Sequence, residues 1–337
     1  MFNNCFRGKK IVVTGCFGYK GSWLCRWLRN QGAIVYGFGH PPSTSPSHAN
    51  ILSLSGGYLE LLGYDDLLKR FHDIKPDLVI HLAAKAIVAD CFKDPRHTFE
   101  NNLMAAVNIM EAARQTESVK GVVLVTTDKV YEDQNWMWGY RENDELGGID
   151  PYSASKVCIE HATRCYRGLG VNIAACRAGN VIGGGDWSPH RLLPDMVKAA
   201  SNGEPVVIHT PQATRPFQHI LDALRGYLLL GQKILNGEDV NEAWNFGPSE
   251  ALTVLEVLKI AKNNWDKIGW TIDEQPTHDH MVYQLKLDSS KALNSLGWKP
   301  LWTTEEAIAR TIEWYRVYFQ EGEVLTDKQI EEYEGKI

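Results

Sequence analysis

The chain has 337 residues, a formal net charge of −6, 44% hydrophobic and 23% charged residues, enough for a substantial core in one large domain or two closely joined ones. An acidic balance without any Lys/Arg-rich run excludes a nucleic-acid role, and no apolar run reaches membrane-spanning length or forms a leader before the first strand-like run. Seven cysteines, odd in number and without a CxxC pair, fit a reducing cytoplasm, and no metal site is expected.

In chain order, KKIVVTG, AIVYGF, DLVIHLAA, GVVLVTT, NIAACRA and EAWNFG read as short strands without polar alternation. Helical stretches separate them, the first starting at Ser22. Strands buried on both faces with helical crossovers predict an α/β fold, a Rossmann-type doubly wound parallel sheet. From VIGGGDWSPH onward the pattern changes to Gly, Pro and Trp-rich loops, with amphipathic helices around Thr304 to Tyr318. This predicts a smaller C-terminal α/β lobe. The expected division is 1–178 plus 217–245 for a dinucleotide-binding domain and 179–216 plus 246–337 for a substrate lobe.

The first strand runs into Thr14-Gly15-Cys16-Phe17-Gly18-Tyr19-Lys20-Gly21. Glycines spaced GxxGxxG between a strand and a helix suit a pyrophosphate: one for the tight turn, one for close backbone approach, one for helix–strand packing. The second strand ends in GFGHPPSTSP, with neither the acidic residue usual for an NAD ribose nor an Arg for a 2′-phosphate. NAD is therefore expected over NADP, its ribose held by backbone or hydroxyl groups.

The run GVVLV leads into Thr126-Thr127-Asp128-Lys129. An acid beside a base at a strand end serves chemistry on one substrate only if the strand stops by about Asp128, because successive strand residues face opposite ways. IDPYSASK then reads as a helix start, with Asp150 as N-cap and Pro151 at the first position. It sets Tyr152 and Lys156 four residues apart on one face, where an ammonium favours the phenolate.

The order GxxGxxG, HLAA, TTD, YxxxK, RAGNVIGG resembles the extended short-chain dehydrogenase/reductase family of nucleotide-sugar enzymes over essentially the whole chain. TGCFGYKGSWL, the tryptophan-rich TTDKVYEDQNWMWGYRENDELGGIDPYSASK, RAGNVIGGGDW, ATRPFQHILDALRGYLLL, AWNFGP and LKLDSSKALNSLGW are similar to the CDP-glucose 4,6-dehydratases within it. The resemblance implies conversion of CDP-glucose to CDP-4-keto-6-deoxyglucose by C4 oxidation, loss of water across C5 and C6, and return of the hydrogen to C6. It implies a catalytic set of Thr127, Asp128, Lys129, Tyr152 and Lys156, with Asp128 as the acid at C6 and a pKa-depressed Lys129 as the base at C5. NAD would lie against Gly15, Phe17, Gly18, Tyr19, Lys20, Gly21, Ala83, Ala84, Asn102, Tyr152 and Lys156. The nucleotide sugar would meet Lys85, Asn180, Arg191, Arg215, His219 and His280. A homodimer through helices near Asn102 to Ala113 and Ser153 to Arg167 is also implied. The chain departs from the family after HLAA, where KAIVAD replaces Gln-Pro-Leu-Val-Arg-Arg, and at Glu60, where the adenine-side Asp usually stands. A C4 epimerase or a dehydrogenase of another nucleotide sugar, and a non-catalytic nucleotide-sensing protein of the same fold, are the alternatives.

Overall fold

The runs marked as buried strands become one six-stranded parallel sheet in a computed structural model that describes residues 2–248, 250–273 and 286–337. Its strands are β1 (Lys10–Thr14), β2 (Ile34–Phe38), β3 (Leu78–His81), β4 (Val122–Val125), β5 (Ile173–Arg177) and β6 (Ala243–Asn245), in the order β6-β5-β4-β3-β1-β2. Alternate residues feed two apolar layers. Val12, Val79, Val122 and Leu124 meet the helices Tyr64–Ile74 and Ala105–Arg114 on one face. On the other, Ile11, Val13, Ile80 and Val123 meet helix α1 (Tyr19–Asn30) and the helix Ile220–Leu235. Covering both faces is what makes the strands continuous apolar runs.

The chain leaves β1 toward β2 on one side and returns to β3 on the other. This reversal opens a crevice at the carboxyl ends of β1 and β3, where such sheets bind ligands. Helix α1 begins at Tyr19, three residues before the expected Ser22, because Gly18 already takes the extended N-cap conformation. Gly21 therefore sits inside the first turn rather than ahead of it.

Outside the main sheet, Val206–Ile208 pairs with Trp270–Ile272 and Thr214–Arg215 with Leu252–Thr253, flanked by helices that include Leu192–Asn202, Val254–Asn264 and Thr304–Glu321. The apolar layer beneath α1 continues into this part through Trp187, Trp265, Trp298, Trp302 and Trp314. The crevice thus has a floor packed in common by both parts. The helix Thr326–Glu334 returns to α1: Arg26 pairs with Asp327 (Nε to Oδ1 2.6 Å), and Trp27 Nε1 donates to Glu334 Oε1 at 2.6 Å. Its Thr326 hydroxyl lies 2.8 Å from Nε2 of the buried His48, whose Nδ1 meets Ser22 of α1 at 2.7 Å. Among the described residues, no helix is long and apolar enough to cross a membrane.

Candidate active site

The nucleotide turn is built from backbone. Gly15 has φ +71°, a left-handed conformation that glycine adopts without strain, and a methyl group there would lie 2.8 Å from the amide nitrogen of Ala83. A methyl on Gly21 would lie 2.0 Å from the carbonyl oxygen of Gly15. The turn, the first helical turn and the end of β3 therefore touch as bare backbone. No side chain caps α1, which leaves its first N–H groups and dipole aimed into the crevice, where a pyrophosphate fits. Thr14 Oγ1 accepts from Ala83 N at 3.3 Å and lies 2.7 Å from His81 Nδ1, fixing the start of the Ala83-Ala84-Lys85 segment. Asn102, expected at the cofactor, is completely buried: its Oδ1 accepts from Lys85 N at 2.8 Å, and its Nδ2 donates to Lys85 O and to Ser155 Oγ. It braces that segment against the helix that carries Ser155.

The helix carrying Tyr152 and Lys156 is Pro151–Gly168, with Asp150 as N-cap and Pro at its first position, as expected. Asp150 and Ser153 close a reciprocal capping box, which sets the helix start and so the height of Tyr152 in the cleft. Lys156 is buried and donates to the Val125 carbonyl at 2.9 Å. β4 ends at Val125, and Asp128–Val130 turn as a short 3-10 segment, so the strand stops early enough to free Asp128 and Lys129 from opposite-face geometry. Thr127 Oγ1 donates to Asp128 Oδ1 at 3.0 Å, and the same hydroxyl acts on the Tyr152 phenol, lowering it. Thr127, Asp128 and Tyr152 are thereby joined in one chain of contacts.

The two neighbours in the turn are not alike. Asp128 is buried, and burial pushes its carboxyl above the usual range against the opposing charges of Lys129 and Lys20. Lys129, expected to be buried, is exposed at the rim because the turn directs Asp128 inward and the next residue outward. Gly179 makes room for the acid: a methyl there would lie 1.6 Å from Asp128 Oδ2.

Tyr152 departs from expectation as well. Burial pushes its phenol up to about 12, while the Thr127 hydrogen bond and the Arg191 guanidinium pull it down. Lys156 and Lys20 each fall to about 8, chiefly through desolvation; for Lys156 the next influence is the Lys20 charge, for Lys20 the Arg191 charge. Two lysines held below the usual ammonium range thus stand beside a phenol and a carboxyl held above theirs, a set suited to proton transfer.

On the substrate side, Arg191 pairs with the buried Asp186 at 2.8 Å and acts electrostatically on both Tyr152 and Lys20. Arg215, half-buried, is held below the usual arginine range by desolvation, partly offset by the Asp128 charge. Asn180 adopts φ +48°, and its carbonyl accepts from Gln218 N at 3.2 Å. Lys85 is half-buried, its backbone held by Asn102. His219 is placed elsewhere. Completely buried between Trp23 and Trp302, it accepts the Leu221 amide through Nδ1 as the N-cap of Ile220–Leu235, which makes it structural rather than a substrate ligand. His280 lies outside the described residues.

Sequence reading overlooked Thr126, Glu160 and Arg177. Thr126 Oγ1 donates to Glu160 Oε1 at 2.8 Å, and Arg177 grips the same carboxylate from Nε at 2.9 Å and Nη2 at 3.1 Å. The one available signal was spacing, since Tyr152, Lys156 and Glu160 recur every four residues on one helix face. The tryptophan segment forms its own small cluster: the Trp136 ring lies tilted 5.1 Å from Trp138 and 5.2 Å from Tyr140, over Val130, Tyr131 and Leu287.

Comparison with known proteins adds to this geometry. The model described as "NAD dependent epimerase/dehydratase family" matches residues 11–247. The CDP-glucose 4,6-dehydratase of Salmonella typhimurium is 37% identical, over 98% of this chain and 97% of that protein. Among solved structures, the UDP-glucose 4-epimerase of Thermotoga maritima, with UDP-glucose, shares the fold at TM-score 0.83 and 23% identity, over 92% of this chain and 100% of that one. The dTDP-glucose 4,6-dehydratase DesIV of Streptomyces venezuelae, with NAD, does so at 0.75 and 24%, over 91% and 97%.

Proposed function

Since this chain belongs to the NAD dependent epimerase/dehydratase family, we propose that it is a nucleotide-sugar 4,6-dehydratase that converts CDP-glucose to CDP-4-keto-6-deoxyglucose. The observation that carries this reading is Asp128. A C4 epimerase or a simple C4 dehydrogenase needs Tyr152, Lys156 and Thr127 but no acid further along the sugar. Here a buried carboxyl, which burial holds above the usual carboxylate range, stands in hydrogen-bond contact with Thr127, placed to act as the acid for a departing C6 hydroxyl. The similarity to the Salmonella enzyme favours cytidine as the base and glucose as the hexose.

The residues divide the work as follows. The uncapped start of α1 and the Gly15 to Gly21 turn would hold the pyrophosphate of NAD, and Lys156 would hold its nicotinamide end. When bound, NAD supplies the oxidising equivalent at C4 and its return at C6. Tyr152, as the phenolate that Thr127 and the Arg191 guanidinium favour, takes the C4 hydroxyl proton while Thr127 steadies the C4 oxygen. The C4 ketone makes the C5 hydrogen acidic, and Lys129, reaching in from the rim, takes it. Asp128 gives its proton to the C6 oxygen, which leaves as water, and a proton is restored at C5 at the end of the cycle. Asn180, Arg191 and Arg215 receive the diphosphate, and Lys85 borders the sugar.

The division into 1–178 plus 217–245 for the cofactor and 179–216 plus 246–337 for the sugar nucleotide belongs to the same reading. So does a homodimer, which the incompletely buried Leu103, Met104, Val107, Cys158, Ala162 and Cys165 on the two helices would support. Seven free cysteines agree with a reducing cytoplasm.

Incubation with NAD and each of CDP-, UDP-, dTDP- and GDP-glucose, followed by mass spectrometry, tests the proposal. Loss of one water from CDP-glucose is the expected result. Unchanged mass with an altered sugar would identify an epimerase, accumulating NADH a dehydrogenase, and binding without turnover a sensor.

A further inference from the structure

Behind the reacting groups lies a buried ion pair to which the chemistry above assigns no part. Glu160 and Arg177 are almost completely inaccessible, at 3% and 1% exposure. Their bidentate contact is one junction in a longer network. Arg177 Nη1 donates to Tyr131 Oη at 2.8 Å and to the Glu142 carbonyl at 3.0 Å. Tyr131 Oη donates in turn to Asn245 Oδ1 at 2.7 Å, and Asn245 Nδ2 donates to the Tyr140 carbonyl at 2.9 Å. The network therefore ties the catalytic helix, the ends of β4, β5 and β6, and the tryptophan segment to one another.

A buried ion pair is weak support for stability, because desolvation offsets much of the attraction. Specific geometry is what it supplies, and here the geometry is directed at the site. The catalytic helix is fastened to β4 at consecutive residues: Lys156 to the Val125 carbonyl, Glu160 to the Thr126 hydroxyl. Thr127 and Asp128 follow at once. We propose that Glu160, oriented by Arg177, is a positioning residue that locks the catalytic helix to Thr126 and so fixes Lys156 relative to Asp128.

The electrostatics point the same way. Lys156 is faced by Lys20 from α1 and His81 from β3, by Glu160 from its own helix, and by the Val125 carbonyl from β4. Burial and Lys20 both favour the neutral amine, and Glu160 is the carboxylate that opposes them. Without Glu160, Lys156 would lose its proton at lower pH.

Two variants and a titration test the proposal, which rests on the dehydratase reading only for its kinetic arm. Thr126→Val removes the hydroxyl that meets Glu160 while keeping a β-branched strand residue. It should lower kcat about tenfold to a hundredfold, the scale of a small misplacement, with KM for CDP-glucose nearly unchanged. The paired variant Glu160→Met with Arg177→Met replaces both charges by apolar groups of similar length, so a merely structural pair would leave kcat at the parental level once the protein folds. The positioning role instead predicts that kcat falls although thermal stability is retained, and that the alkaline limb of the kcat profile moves to lower pH. In the titration, the Lys156 Cε resonance of 13C-lysine-labelled protein, assigned with Lys156→Arg, should shift its midpoint to lower pH in the paired variant. Parental kcat in Thr126→Val, or an unmoved Lys156 midpoint, overturns the proposal. If the paired variant does not fold, Thr126→Val decides alone. If the parental protein dehydrates no nucleotide sugar, the function reading fails while the lysine titration still decides this one.

Discussion

The two ends of the cleft are made of different material. Around Gly15 and Gly21 the protein uses bare backbone: helix dipole, amide groups and missing side chains. Around Asp128 it uses side chains, buried in a network that draws on residues from Thr126 to Asn245. A backbone site tolerates almost any side chain except an added one, because atoms must be absent. A side-chain site fails when one atom is removed, because every buried polar group there depends on its partner.

The largest effect should come from the side-chain end. Tyr152→Phe removes the hydroxyl that takes the C4 proton, and NADH formation in a single turnover with CDP-glucose should slow about a hundredfold to ten-thousandfold. NAD affinity, measured by titration, should scarcely move, and near-parental turnover would remove Tyr152 from its role. Next comes Gly179→Ala, which places a methyl 1.6 Å from Asp128 Oδ2 and forces the carboxyl out of position. Displacement of that size can cost about a hundredfold, so water loss should slow while NADH still forms, as it should in Asp128→Asn. If Gly179→Ala instead impaired C4 oxidation, Asp128 would belong to the first step.

Gly21→Ala is the corresponding test of the backbone end. Its methyl meets the Gly15 carbonyl oxygen at 2.0 Å, and the turn must open. NAD affinity by calorimetry should fall about tenfold or more, with a loss of stability of about 1 to 3 kcal/mol from overpacking. Unchanged affinity would show that the turn does not cradle the cofactor.

Asp222 should matter least to catalysis. It is completely buried, accepting from Tyr333 Oη at 2.6 Å and Leu301 N at 2.7 Å, and burial raises its carboxyl from 3.8 to about 6. The folded state therefore binds this proton more tightly than the unfolded one. Its contribution to stability is full below about pH 4 and is lost as pH rises to about 6, by up to about 3 kcal/mol at 1.36 kcal/mol per pKa unit. Asp222→Asn should abolish that slope in urea unfolding while leaving turnover intact; a persisting slope would place the titration elsewhere.

The same contrast explains what could be read in advance. The parallel sheet, the Asp150 cap and the glycine turn are local, and each follows from residues within a few positions of one another. The early start of α1 at Tyr19 was hidden because Gly21 looks like a residue ahead of a helix, whereas it lies within the first turn. His219 was misplaced because a histidine four residues after Arg215 gives no sign that two tryptophans will enclose it. Lys129 was expected inside because adjacency in TTDK says nothing of which way a 3-10 turn points each side chain. Glu160 and Arg177 escaped because their meaning lies in a contact across 17 positions that no local pattern encodes.

One long-range contact bears on how the protein is made. The outer face of α1 is fastened by Asp327 and Glu334, and the Arg26 to Asp327 contact joins residues 301 positions apart. Chains emerge from the ribosome at about 5–20 residues per second, so the helix that presents the phosphate-binding turn waits roughly 15–60 s for its clasp. During that interval Trp27, buried in the finished protein against Tyr333, lacks its cover. The nascent chain therefore keeps an apolar patch on α1 open to solvent until the helix Thr326–Glu334 has been synthesised and has folded back.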